Sequence, residues 1–550
     1  MVMEDQIPGA QSSLPDHLAR WRADARLRHV IGAEIAALIL IVALPWSRWW
    51  VAVIFAAVTL LVATITYNGA TAVGWLTRAA RFLWFGHRRT AAARRAAIPA
   101  AFNVDLSGIG PLGMRWDGQY AVTMIALHGH AYAPTFLDPS GAQTEDMAPL
   151  RVVSSLLQQF GGLELACVDV VSTGRRTVES SRFSATYDES VGDRPAVGLR
   201  HTWLVLRLCP QACLAALAYR GDAAAAAAAA TERIRQAVLR AGCRAVTCTK
   251  EQMAAATDVL LGGVALTEVR ELWSRVDAGG DYVTTYRVAG RDLNTDWVND
   301  VWAVRSRLTV LTTRLAATAS GTVMVSAVVR FHTAQQLTHP PVLALQPVSG
   351  QAFAALAASL PLGNRALALQ MSARRLDAAP LDIPVTPAGF MIGTTTFGGF
   401  PLLLPLADPL RVTRMQLAVE LEVVQALMLR ATATGATVLV HTTRPEAWAP
   451  IRSEHIWLED PGAEHAVITT VVLDGDDIEM PTMAVGERGH AVVSVTSTPS
   501  ADADVSIVQT SPGDLLLSTP RVSNVELRVL RPRNEAQFLA HLRRPAPVAP

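Results

Sequence analysis

The stretch ALPWSRWWVAV, residues 43–53, breaks the most apolar part of a 550-residue chain with one proline, one arginine and three tryptophans. Either it divides one apolar run into two membrane spans, or everything after it is exported. The run extends from Val30 to Thr66 and is apolar apart from Glu34 and this centre. At about 20 residues per span, it suffices for two short helices and a tight turn. Pro45 does not continue a regular helix, and Arg48 is costly in mid-bilayer. Trp46, Trp49 and Trp50 suit the headgroup interface. The stretch therefore predicts the outer turn of a transmembrane helical hairpin.

Working outward, the flanks give the orientation. Arg20, Arg22, Arg26 and Arg28 precede the run, and Arg78, Arg81, Arg88, Arg89, Arg94 and Arg95 follow it. No acidic residue occurs from Val51 to Val104, so the positive-inside rule places both termini in the cytoplasm of a two-span inner-membrane protein. A signal peptide is rejected, because the first residues are partly acidic (Glu4, Asp5, Asp16, Asp24) and no small-x-small cleavage site follows. Glu34, one turn into the first helix, snorkels to the headgroups or meets an arginine of a partner. The segment GWLTRAARFLWFGHRR (74–89) reads as an amphipathic helix on the membrane surface, with Trp75, Phe82 and Trp84 towards lipid and Arg78, Arg81, Arg88 and Arg89 towards anionic headgroups.

The net charge of +1 favours no polyanionic partner, and nucleic acid is not expected. Five cysteines (Cys167, Cys209, Cys213, Cys243, Cys248) form no CxxC pair, which predicts reduced, buried thiols rather than a disulfide framework or zinc.

From Phe102 the pattern changes. Asp117-Gly118 predicts a hairpin within GMRWDGQYAVTMIAL (113–127). Helices are expected at 148–160, 223–242, 250–261 and 295–308, and strands at 163–171, 201–210, 243–248, 281–290 and 321–333, with a loop or a long hairpin connection over 172–200. That is an α+β unit with a mostly antiparallel sheet. A second unit begins near Gln346, with strand 415–420, helix 421–435, strand 436–443 and a further helix over 444–451. This predicts a parallel βαβ of Rossmann type, degenerate because Glu420 and Glu422 stand where a glycine-rich loop would receive a phosphate.

Candidate chemistry is sparse. His128 and His130 share a strand face but lack a third ligand, and Asp474, Asp476, Asp477 and Glu479 lack EF-hand spacing. TTTFGGF (394–400) has no lysine or following helix for a phosphate loop. No catalytic residue, metal or cofactor is predicted.

The order of these features carries a resemblance. The arginine-flanked hairpin, GWLTRAARFLW, GMRWDG and LMLRATATGATVLVHTTRPEAW together resemble the EccE family, core membrane components of actinobacterial type VII (ESX) secretion systems. The resemblance implies a non-enzymatic subunit working with EccB-, EccC- and EccD-like partners, EccC being the ATPase, and contacting EccD through its cytosolic part. The expected organisation is a cytosolic tail (1–29), a transmembrane hairpin (30–67, with helices at about 30–45 and 50–67), a basic amphipathic segment (68–100), an α+β domain (101–345), a Rossmann-like α/β domain (346–540) and a disordered tail (541–550). Membrane anchoring is assigned to Arg28, Glu34, Trp46, Arg48, Trp49, Trp50, Trp75, Arg78, Arg81, Trp84, Arg88 and Arg89. The alternatives are a membrane-anchored, glycosyltransferase-like enzyme using a nucleotide-sugar and a metal near Asp474–Asp477, and a membrane-tethered regulatory module acting alone.

Overall fold

The turn at Asp117-Gly118 builds one hairpin of the larger of the two main sheets. Gly118 takes φ +91°, and Asp117 Oδ1 accepts the N–H groups of Gln119 (3.2 Å) and Tyr120 (2.8 Å). This joins strands Gly110–Trp116 and Ala121–Gly129, with Trp116 opposite Ala121. The computed structural model describes residues 98–542 with interruptions, the longest at 459–466, 479–488 and 497–501, and ahead of them residues 21–23, 50, 54, 58, 65–67, 70–71, 74–80 and 82–84.

The larger sheet is antiparallel throughout. Its centre runs Tyr282–Val288, Val323–Thr333, Leu308–Ala317, Leu163–Arg175, Leu199–Leu208, Ala121–Gly129. Successive side chains alternate between faces, and both faces are covered. Ile125, Leu127, Leu204 and Leu206 share one core with helix Ala223–Arg240. Val122, Met124, Trp203 and Val205 share another with helices Lys250–Leu261 and Ala352–Ala357. The strands accordingly lack a regular polar face. Ala226, Ala227, Ala228 and Ala230 bring the first helix close to the sheet, and Asp222 caps it through the Ala224 N–H (3.0 Å). The second helix opens on a Thr249/Gln252 capping box and ends at Gly262, φ +67°.

One carboxylate and two guanidinium groups form a buried cluster inside this sheet. Asp169 is fully buried, accepts Arg207 Nη1 at 2.6 Å, and accepts Arg314 Nε and Nη2 at 2.7 and 2.9 Å. Arg207 also donates to the carbonyls of Leu360 (3.3 Å) and Leu362 (2.6 Å), and Arg314 to that of Ala366 (3.1 Å). The cluster thus ties three neighbouring strands to the 360–366 segment above them.

The second sheet is mixed. Six strands are parallel, in the order Ile456–Trp457, Val438–Thr442, Thr470–Asp474, Ala491–Val495, Thr413–Ala418, Val505–Ser511. The sheet then continues antiparallel through Asp514–Ser518, Val525–Arg528, Phe390–Thr395 and Pro401–Leu404 to a hairpin from much earlier in the chain, Thr135–Asp138 and Gly141–Gln143. Helix Leu421–Ala433 covers one face, held by a buried, two-pronged pair from Arg430 to Glu535 (2.8 and 2.7 Å). The sheets are joined by Arg200 donating to the Pro384 carbonyl (3.0 Å), the Ala388 N–H to that of Val197 (2.8 Å), and an Arg244–Asp408 pair (2.8 Å).

Several expectations are corrected here. No helix among the described residues is long and apolar enough to cross a membrane. Ile65–Tyr67, expected at the end of the second span, is a strand paired with Trp21–Ala23 and Ala70–Thr71, as its β-branched Ile-Thr pair favours. The transmembrane hairpin, its two spans and the orientation derived from them are thus not supported, and most of residues 24–64 lie outside the described residues. The α/β class survives only in part. The parallel strands exist, but the sheet containing them is half antiparallel, and the molecule as described is mostly β. Helix 148–160 shrinks to Leu150–Ser155, because Gln158–Gln159 is already a strand paired with Leu163 and Glu164. Helix 295–308 stops at Ala303, and Leu308–Ala317 is a central strand that periodicity did not reveal. The 172–200 segment is the connection of a long hairpin, Arg175 lying opposite Leu199, and it carries the end of a strand and the helix Ser184–Val191.

Replacing Asp169 with Asn leaves two buried guanidinium groups without a carboxylate. Urea unfolding of the full chain is expected to show a loss of roughly 3–5 kcal/mol, and a loss within experimental error of zero would remove the cluster from any structural role. A second prediction concerns pH. His128 is pushed down to about 4, by burial first and by Arg244 second. The unfolded chain takes up this proton near pH 6.5, whereas the folded chain refuses it until about pH 4. The stability is therefore complete above pH 6.5, falls by roughly 3 kcal/mol through this window and then levels off. Paired unfolding curves of wild type and His128→Phe, near neutral pH and near pH 5, are expected to show a shallower pH slope in the variant.

Candidate functional site

The carboxyl ends of the parallel strands form an open crevice of about 740 Å³. In open parallel sheets this edge is where ligands bind. In chain order, Glu420 comes from the end of the first parallel strand, Thr443 and Arg444 from the second, Asp474 and Gly475 from the fourth, Thr496 from the fifth, and Gln509 to Pro512 from the sixth. Asp474 is 1% exposed and already saturated. It accepts Arg444 Nε and Nη2 (2.9 and 2.6 Å), Trp448 Nε1 (2.7 Å) and the Thr442 hydroxyl (2.7 Å). Burial pushes this carboxyl up, but the hydrogen bonds outweigh it and hold it below the usual carboxylate range. Asp474 is therefore a structural anion that fixes Arg444 and Trp448.

The floor of the crevice is also unsuited to phosphate. Glu420 precedes helix Leu421–Ala433 and Glu422 lies in its first turn, so the positive end of the helix meets two carboxylates. The Glu420 N–H donates to Gln509 Oε1 (2.8 Å) rather than facing the opening. The residues present do not fit a nucleotide-sugar and its metal. Asp476, Asp477 and Glu479 lie outside the described residues, and no group of metal-ligating side chains exists among the described ones. His130 is engaged by Asp146 through Nδ1 and through its N–H (2.9 Å), and no third ligating side chain stands beside it and His128 among the described residues. All five cysteines are free thiols, four of them buried. TTTFGGF forms the hairpin turn between Phe390–Thr395 and Pro401–Leu404, with Gly398 and Gly399 at positive φ.

Of the residues assigned to membrane anchoring, Arg28, Glu34, Trp46, Arg48, Trp49, Arg81, Arg88 and Arg89 lie outside the described residues, and Trp50 is exposed. Trp75, Arg78 and Trp84 fall on helical segments 74–80 and 82–84, with Arg78 over the Trp75 ring at 5.9 Å. Trp75 and Phe82 do not face outward together with Trp84. They pack on Trp273, with ring centroids 6.0 and 5.2 Å away. Trp273 sits between the short strands Arg270–Glu271 and Val276–Asp277 at the edge of the larger sheet, so the segment shields an exposed sheet edge. Leu76, Leu83 and Trp84 remain 70–80% exposed, an apolar face turned away from the body.

Sequence reasoning missed the Asp169 cluster. Its signal is three lone charges inside apolar runs: ACVDVV, LVLRL and TTRLAA.

Comparison with known proteins agrees with the order of features along the chain. Residues 196–288, covering strand Leu199–Leu208 to strand Tyr282–Val288, match a family model described as "type VII ESX secretion system translocon, EccE". The chain is 30% identical over 350 residues to the ESX-5 secretion system protein EccE5 of Mycobacterium marinum, covering 61% of this chain and 86% of that protein. It is 26% identical over 427 residues to the ESX-1 secretion system protein EccE1 of Mycobacterium tuberculosis (75% and 81%), and 26% identical over 341 residues to the ESX-2 secretion system protein EccE2 of the same species (62% and 62%). With 86% of a relative spanned at that identity, the chain belongs to the EccE family.

Proposed function

We propose that this chain is a structural, non-catalytic component of a type VII (ESX) secretion system, assembling with EccB-, EccC- and EccD-like partners. The observation that supports this most directly is the alignment with EccE5 over 86% of its length. The crevice chemistry is consistent with it, because the position a cofactor would use is filled by Glu420 and by the saturated Asp474. The secretion system is membrane-associated, and the exposed face of Leu76, Leu83 and Trp84, followed in sequence by Arg88, Arg89, Arg94 and Arg95, supports attachment to an anionic lipid surface. In this reading Arg78 and Trp75 hold the segment to the body while the arginines meet headgroups.

The assembly is tested by purifying the tagged chain from its native membranes in mild detergent and identifying what stays bound. Other secretion components, including an ATPase, are expected in a large assembly, and a lone monodisperse protein would refute the proposal. The lipid contact is tested separately. Each exposed leucine or tryptophan contributes on the order of 1.5–3 kcal/mol when buried. Leu83→Asp combined with Trp84→Asp is thus expected to weaken binding of the chain to anionic vesicles by roughly tenfold or more. Because both side chains are exposed, the unfolding midpoint should not move.

A further inference from the structure

The last described part of the chain, residues 530–542, lies across the helix that covers the second sheet and joins no strand. Main-chain pairing ends at Val529, whose N–H donates to the Gly513 carbonyl (2.8 Å). Beyond it the backbone bonds are internal, such as Glu535 N–H to the Pro532 carbonyl (3.1 Å) and Phe538 N–H to that of Glu535 (3.0 Å). No backbone-to-backbone hydrogen bond joins residues 530–542 to the rest of the described chain. Side chains and the pockets they fill hold the segment, as they hold a peptide helix bound in a groove.

The groove runs between helices Leu421–Ala433 and Ser184–Val191. Glu535 is the polar anchor, 3% exposed, accepting Arg430 Nε and Nη2 at 2.8 and 2.7 Å. Arg430 is itself buried and has no other carboxylate partner among the described residues. Its further bonds go to main-chain carbonyls, those of Leu530 (2.7 Å) and Met391 (3.3 Å) among them. Phe538 meets the buried Phe183 ring edge-on, with centroids 5.1 Å apart, and Leu539 enters the same core as Leu427. Asn534 Nδ2 donates to the Thr186 carbonyl (3.2 Å), and His541 Nε2 lies 3.1 Å from both Gln425 Oε1 and the Ala447 carbonyl. Glu535 and Phe538, three residues apart on one helical turn, face the groove together.

Without the segment, Arg430 would be a buried guanidinium with no carboxylate, which is costly. The groove therefore selects one chemistry: a short helical segment with a carboxylate one turn ahead of an aromatic and an aliphatic side chain. We propose that this groove is a peptide-recognition site for the pattern Glu-x-x-Phe-Leu, filled in cis by residues 534–541 and exchangeable for the same segment of a second copy of the chain. The second copy is the occupant because its segment matches every anchor. Exchange breaks no strand pairing, so it is a low-barrier form of swapping between copies.

The test places a protease cleavage site between Leu530 and Arg531 of the full chain, so that the segment is cut only after folding. The probe is a fluorescent peptide of residues 531–542, RPRNEAQFLAHL, followed by anisotropy. The probe is expected to replace the resident segment of the cut chain, binding it roughly tenfold or more tighter than the uncut chain, where the tethered segment competes at high effective concentration. Probes carrying Glu535→Gln or Phe538→Ala are each expected to bind roughly tenfold or more weakly than the unaltered one. An uncut chain with Phe538→Ser and Leu539→Ser should take up the unaltered probe as the cut chain does; should that variant fail to fold, the cut chain carries the test alone. Two uncut wild-type chains bearing different tags, incubated together at high concentration, are expected to co-purify, and Glu535→Gln in both is expected to abolish this. Three results overturn the proposal: a cut segment that never exchanges with the probe, equal binding of the unaltered and Glu535→Gln probes, or tagged chains that do not pair.

Discussion

One buried carboxylate holds the larger sheet in register. Asp169 lies opposite Arg314 on one neighbouring strand and diagonal to Arg207 on the other, and both guanidinium groups reach past it to carbonyls of the 360–366 segment. A sheet covered on both faces is otherwise specified by apolar contacts, which tolerate a slip of two residues far better than a charged cluster does. Here such a slip would leave a carboxylate and two arginines unpaired in a dry interior. The cluster therefore supplies specificity, and it fastens the 360–366 segment, together with helix Ala352–Ala357 just before it, to the sheet. The junction with the second sheet inherits this order, because Arg200 and Thr202 donate to Pro384 and Val385 from the strand that carries Arg207.

Much of the larger sheet was legible in the sequence. Asp117-Gly118 marked one of its hairpins, and the alanine-arginine helix and the capped helix at Lys250 fell where their propensities place them. The illegible part has its cause in two-sided burial. Leu308–Ala317 alternates between two apolar cores and so has no polar face to announce its period. The crevice of the second sheet was legible by its missing glycines: Glu420 and Glu422 stood where a phosphate would sit, and the structure places Glu420 at its rim.

The amphipathic segment after the apolar run is the clearest case of context overriding pattern. Its aromatics suggested a single lipid-facing side. The structure divides them instead, giving Trp75 and Phe82 to Trp273 and leaving Trp84 outside with Leu76 and Leu83. A helical pattern shows that a face is apolar but not what covers it, and a protein edge with an upturned tryptophan competes with lipid on equal physical terms.

The hairpin Thr135–Gln143 joins the second sheet although it leaves the ribosome long before that sheet's other strands. Phe136 pairs with Leu402, more than two hundred and sixty residues later. Until then the hairpin has an open edge and nothing to pair with, and the chain between must be made and folded around it. The second sheet is therefore a late, high-contact-order event, completed only after nearly the whole protein has emerged. A fragment cut between the two sheets would carry away one strand pair that belongs to the other piece, so the two sheets are bound together in synthesis as well as in space.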